Sequence, residues 1–215
     1  MKILLADSPF WKELGEDFQK KYKRAAESAY EEVTKLLPFG SGYVTFVVQP
    51  REYGLIAETH DIGRTHNSDL IELAFDPKFA RKNPQQILDQ VRPTVFHEMN
   101  HAARFNLNIW HTSFLDHCVL EGLAAVFARD YADYDALWGR YDEGEARKWL
   151  AEIRKKEKTL DYDAYMFKHP DGRRWIGYKV GTYLIDQAVK NSGKSVVELS
   201  KLESADILTL AEPRA

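Results

Sequence analysis

Two histidines four residues apart, with a glutamate directly after the first, constrain this chain more than any other stretch: His97-Glu98-Met99-Asn100-His101. Residues four apart share one face of a helix, so the segment must be helical for both imidazoles to reach one ion. Glu98, one step round, then reaches a water bound to that ion. H-E-x-x-H is the arrangement in which two imidazoles hold zinc and the glutamate acts as general base. Such a site needs a third protein ligand and a framework that carries it, and both have to come from elsewhere in the chain.

The 215 residues fit one domain, and 44% hydrophobic with 29% charged residues is ordinary for a globular protein. A formal net charge of −3 provides no basic surplus to neutralise phosphates, which argues against nucleic acid as a partner. The basic runs Lys20-Lys21-Lys23-Arg24 and Arg154-Lys155-Lys156-Lys158 alternate with acids and read as solvated helix faces. A single cysteine, Cys118, excludes an internal disulfide and reads as a small buried apolar residue. The apolar run that opens the chain stops at Asp7, too short for a signal-peptide core, and no stretch is long and apolar enough to span a bilayer. A cytoplasmic protein without membrane partners is the expectation.

Apolar residues at Leu14, Phe18, Tyr22, Ala25, Ala29, Val33 and Leu36 predict one long amphipathic helix from Pro9 to Leu37, with Ser8 as N-cap and Pro38-Phe39-Gly40 as its stop. Tyr43 to Val48, bounded by Gly42 and Pro50, reads as a strand, as do Leu55 to Thr59 and Leu70 to Phe75. The polar stretch Asp61 to Asp69 reads as a turn-rich connection. Asn83-Pro84 starts a helix, and Pro93 kinks it or opens a new one before His97. Further helices are expected from about Thr112 to Ala132, with Thr112 or Ser113 as cap, and through the charged segment Tyr134 to Asp163. Another runs from Ile176 to Lys190 and ends at Asn191-Ser192-Gly193.

Catalytic zinc commonly takes three protein ligands and leaves a fourth position to water. Arg104 and Leu107 stand where H-E-x-x-H-x-x-G-x-x-H would require glycine and histidine, which closes that route. Glu121, twenty residues beyond His101, is the alternative. Its neighbours Val119, Leu120, Leu123, Ala124, Val126 and Phe127 are apolar, and a carboxylate among them needs a cation or a metal. Three segments carry a resemblance: Thr94-Val95-Phe96-His97-Glu98-Met99-Asn100-His101, Leu120-Glu121-Gly122-Leu123-Ala124 and Trp175-Ile176-Gly177-Tyr178-Lys179-Val180-Gly181. Together they resemble the gluzincin metallopeptidases and, more closely, a mostly bacterial family of predicted zinc-dependent proteases. The resemblance implies one zinc ion, the ligands His97, His101 and Glu121, and Glu98 as base. Ala125 stands where thermolysin carries an aspartate supporting a histidine ligand, so that acceptor is sought in Asp116, another carboxylate or a backbone carbonyl.

Peptide hydrolysis also needs a donor to the oxyanion, and Tyr178 is the candidate. Arg173 and Arg174 read as exposed structural residues rather than substrate contacts, His60 and His66 as surface loop residues, and His169 as part of a solvated turn. His111 and His117 read as packed or capping residues, with His117 one helical turn before Glu121.

The expected fold is therefore α+β and zincin-like: a small twisted, mainly antiparallel sheet packed on the H-E-x-x-H helix, then a mostly helical C-terminal half. It is read as one domain over residues 1–215, with an N-terminal helical segment (1–40), the sheet and active-site helix (41–105) and a helical lower half (106–215). Leu55 to Thr59 is the expected edge strand for binding a peptide or protein substrate. The expected activity is zinc-dependent peptide-bond hydrolysis, a zinc-activated water attacking the carbonyl. The alternative is a zinc-binding regulatory or peptide-binding protein that keeps the fold without turnover.

Overall fold

Phe46, Val48 and Pro50 alternate with half-exposed residues along β2 (Thr45–Pro50), which gives a strand with one covered face. Residues 1–37, 43–109 and 111–212 are described by the computed structural model. The Pro38-Phe39-Gly40 stop, the glycine at 42 and Trp110 lie outside the described residues. The protein is α+β and divides into two compact units, Met1–Asn106 and Leu107–Ala215.

In the first unit β1 (Lys2–Leu5), β2, β3 (Asp61–Asn67) and β4 (Leu70–Phe75) form one sheet in the order β1-β2-β4-β3. The expected mainly antiparallel sheet is corrected to a mixed one. β1 runs parallel to β2, and β2 to β4; only the β3–β4 pair is antiparallel. Parallel neighbours need a crossover. One is supplied by α1 (Phe10–Leu36), the other by the chain between β2 and β4.

Three strand assignments change. Leu55 to Thr59 is not a strand: the Ile56 carbonyl accepts from the Thr59 and His60 amides at 3.3 and 2.8 Å, closing a turn that His60 leaves at φ 60°. The polar stretch after it is β3, an edge strand hidden from hydrophobic patterning because its inward positions are Asp61, Gly63 and Thr65. The apolar run near the N-terminus, read only as too short for a leader, supplies Ile3, Leu4 and Leu5 of β1.

α1 is interrupted at Gly15, whose φ of 82° and ψ of 162° are not helical, so the single long helix expected here is broken near its start. Ser8 leaves the cap position to Pro9, though its hydroxyl still accepts from the Phe10 amide at 3.4 Å. Beyond the break Phe18 and Tyr22 pack with Phe75 at the end of β4, ring centroids 5.6 and 5.2 Å away. Asp76 caps α2 (Pro77–Lys82), accepting from the Lys78 and Phe79 amides. α3 (Pro84–Asn106) follows as one helix with Pro93 inside it, so the proline does not open a new helix.

The second unit is helical. Ser113 and Asp116 form a reciprocal capping box at the start of α4 (Phe114–Ala132), and Asp133 ends the helix in the left-handed region at φ 53°. Helix resumes only at α5 (Glu143–Lys156), capped by Asp142, so the continuous helical segment expected from Tyr134 is shorter. A 3-10 turn (Glu157–Thr159) and α6 (Tyr162–Met166) lead to α7 (Ile176–Ser192), which Gly193 terminates at φ 72°. α8 (Val196–Leu199) and α9 (Ser204–Ala211) complete the unit. Arg129 of α4 makes a forked pair with Asp186 of α7 at 3.1 and 2.8 Å, and the Tyr141 hydroxyl donates to the same carboxylate at 2.8 Å.

Among the described residues no helix is long and apolar enough to cross a membrane.

Candidate metal centre

The helical spacing of His97 and His101 on α3 has a direct consequence. The two rings stand edge to face with centroids 4.7 Å apart, and their Nε2 atoms are 3.1 Å from each other. Zinc bonds imidazole nitrogen at about 2.0–2.1 Å, which puts two tetrahedral donors roughly 3.3 Å apart. The two nitrogens are therefore spaced as donors to one ion.

Glu98 lies between them in sequence and is buried, with 6% of its surface exposed. β3 runs beside it. The Thr65 hydroxyl lies 2.7 Å from Glu98 Oε2 and 2.8 Å from the Glu98 main-chain oxygen. At Gly63 an added Cβ would come within 2.6 Å of Glu98 Oε1 and 2.7 Å of its Cδ, so only glycine lets the strand approach this closely. One turn before Glu98 the Thr94 hydroxyl donates to Asp61 Oδ2 at 2.7 Å. Burial, assisted by the Glu98 charge and opposed by hydrogen bonds such as that from Thr94, pushes the Asp61 carboxyl up to about 6.

Glu121 projects half-buried from α4. The next residue, Gly122, meets α7: an added Cβ would lie 2.8 Å from Gly181 Cα and nearer still to its carbonyl. Reciprocally, a Cβ on Gly181 would lie 2.8 Å from the Cys118 carbonyl carbon. The E-G-L-A and G-Y-x-x-G segments are thus two halves of one backbone-to-backbone helix crossing, and that crossing fixes the stretch of α4 bearing Glu121. Among the described residues, His97, His101 and Glu121 form a group whose ligand atoms all lie within 4.8 Å of one another. Two imidazoles and a carboxylate are a donor set that zinc accepts.

The other singled-out residues have different engagements. Asp116 is committed to the N-terminus of α4, accepting from the Thr112 and Ser113 amides at 3.0 and 2.9 Å; burial raises its pKa, but these hydrogen bonds outweigh it and hold the carboxyl below its usual range. Tyr178 is half-buried on the first turn of α7, its ring edge-on to Trp175 at 5.7 Å. Arg173 donates to Glu152 and Asp171 at 2.8 and 2.7 Å, and the Arg174 guanidinium lies 5.0 Å from the Trp175 ring centre. His60 stacks on Phe79, His66 lies 3.4 Å from Glu72, and His169 pairs with Asp171 at 2.8 Å. The rings of His111 and His117 are 5.8 Å apart, and His117 stands edge-on to Tyr162. Burial pushes the Cys118 thiol well up, as for a packed apolar residue rather than a nucleophile.

Sequence reasoning passed over Thr65, Gly63, Asp61 and Tyr162. Burial and then the Glu121 charge push the Tyr162 phenol up to about 12, which places it electrostatically beside the carboxylate. No local pattern marks these residues, since each acquires its place by a contact distant in sequence.

The family described as Predicted Zn-dependent protease (DUF2268) matches residues 10–209, and the chain belongs to it. Neither a curated protein nor a solved structure matches the chain.

Proposed function

From membership of that predicted zinc-protease family, we propose that the chain is a peptidase of the gluzincin type, with a zincin-like arrangement around one zinc ion held by His97, His101 and Glu121. The observation that carries this reading is the grouping of those three side chains with a buried carboxylate, Glu98, on the same helix. Zinc bound by such a set supplies Lewis acidity and lowers the pKa of water to about 7. The rest falls to the chain. Glu98 accepts the proton of the attacking water on its carboxylate and delivers it to the amine that leaves as the peptide C–N bond breaks. Tyr178 donates a hydrogen bond to the oxygen that gains charge.

A peptide or protein substrate enters as an added strand on β3, replacing Leu55–Thr59 in that role. β3 is the edge of the sheet next to Glu98, and its outer side offers backbone groups for pairing. A cytoplasmic location without nucleic-acid or membrane partners remains part of the proposal, from the acidic balance and the short apolar runs.

The test is digestion of a mixed peptide pool by wild type and by Glu98→Gln, with zinc measured in both. Wild type should cleave, and the variant should hold zinc while losing at least about a hundredfold in rate. A zinc-loaded variant that cleaves like wild type would falsify the role of Glu98. A zinc-loaded wild type that cleaves nothing would favour a binding protein.

A further inference from the structure

Asp61, Gly63 and Thr65 occupy alternate positions of β3, opposite the buried Phe75, Leu73 and Ile71 of β4. Inward positions of a strand usually carry apolar side chains. Here they are an acid, a glycine and a threonine, and each meets α3 at a polar group. Asp61 accepts from Thr94, Gly63 lies against the Glu98 side chain, and Thr65 bonds Glu98.

The geometry points to Thr65, backed by Gly63, as a positioning residue that holds the Glu98 carboxyl in place before and after it takes a proton. This rests on Glu98 serving as the general base. The Thr65 hydroxyl carries one proton and has two acceptors within reach, Oε2 at 2.7 Å and the Glu98 main-chain oxygen at 2.8 Å. While the carboxylate is ionised, the charge-assisted bond to Oε2 is the stronger. If the incoming proton settles on Oε1, Oε2 still accepts from Thr65. If it settles on Oε2, that oxygen donates to Thr65 Oγ1, whose own proton turns to the main-chain carbonyl. The side chain is held in every case, so proton transfer leaves it in register. Gly63 supplies a wall beside Oε1 that no larger residue could form without displacing the carboxylate. An ordinary buried threonine would need only one acceptor. Two acceptors on the same glutamate, one on its side chain and one on its backbone, tie the hydroxyl to that residue alone.

Thr65→Val keeps the branched shape and removes both donor and acceptor; Thr65→Ser keeps the hydroxyl. On a quenched peptide drawn from the cleaved pool, Thr65→Val should lower kcat about 10- to 100-fold with KM changed less than about twofold, and Thr65→Ser should stay within about threefold of wild type. Zinc content should not move, whereas the melting temperature should fall by roughly 2–8 °C in Thr65→Val, which leaves buried acceptors without their donor, and hold in Thr65→Ser. Crystal structures of the zinc-loaded proteins supply a readout independent of turnover: the Glu98 carboxylate should hold one position in wild type and Thr65→Ser, and leave it in Thr65→Val and Gly63→Ala. An unmoved carboxylate in Thr65→Val overturns the inference, as does a serine variant that fails like valine. If wild type cleaves no peptide, the peptidase reading falls, while the carboxylate position in Thr65→Val still decides the positioning role. Should Thr65→Val not fold, Thr65→Ala, which also removes the hydroxyl, carries the same structural test.

Discussion

Replacing Gly181 by alanine sets two physical effects of opposite sign against each other. In an unobstructed helix the change is stabilising by about 1 kcal/mol, because alanine loses less backbone entropy than glycine. At position 181 the new methyl would lie 2.8 Å from the Cys118 carbonyl carbon and 3.0 Å from the Gly122 amide nitrogen. Carbon contacts are comfortable at about 3.5–4.0 Å and the Cys118 carbonyl oxygen is closer still, so α4 and α7 must part by at least about 1 Å. The obstacle is backbone, which has no rotamer to turn away. Overpacking of this kind destabilises by up to about 3 kcal/mol, leaving a net loss near 2 kcal/mol after the helix gain. For a chain of this length that lowers the melting temperature by roughly 4–8 °C, measurable by circular dichroism on metal-free protein. Glu121 precedes the glycine on which α7 rests, so zinc affinity, read by chelator competition, should fall at least about tenfold, because metal–ligand distances tolerate only about 0.2 Å. An alanine variant as stable as wild type or more so would refute the argument, since helix propensity would then outweigh the crossing.

Asp61 yields a pH prediction. Burial lifts its carboxyl from 3.8 to about 6, so the folded protein holds a proton that the unfolded chain has released between those values. Stability from this group is therefore greatest in acid and falls as pH rises through that window; Asp61→Asn should exceed wild type above pH 6 by up to about 3 kcal/mol and match it near pH 4. Urea titrations at several pH values decide this, and a pH-independent difference would contradict it. Glu121→Ala should weaken zinc binding at least about a hundredfold, and stoichiometric zinc after dialysis against chelator would remove Glu121 from the ligand set. Tyr178→Phe should lower kcat about a hundredfold with KM little changed, whereas a loss confined to Tyr162→Phe would assign the oxyanion donor to the phenol beside Glu121.

What the sequence determined about this protein is local in the chain. The helix under His97, Glu98 and His101 and the convergence of the two imidazoles follow from four-residue spacing, and their Nε2 atoms lie 3.1 Å apart. The cap of α4, read as Thr112 or Ser113 and found at Ser113, the end of α7 at Gly193 and the strand at Leu70–Phe75 were legible for the same reason, each signal lying within a few residues of its effect. Apolar neighbours also marked Glu121 as an unusual carboxylate. The mixed sheet was not legible, because strand direction depends on the crossovers between strands. Nor was β3, whose inward residues match α3 rather than any hydrophobic period. Thr65 gained its place beside Glu98 across 33 residues, and Gly122 met Gly181 across the intervening helices. Side-chain period records which face of an element is covered. Which residue covers it is decided only when the chain returns, and that return sets both the cradle of Glu98 and the helix crossing beside Glu121.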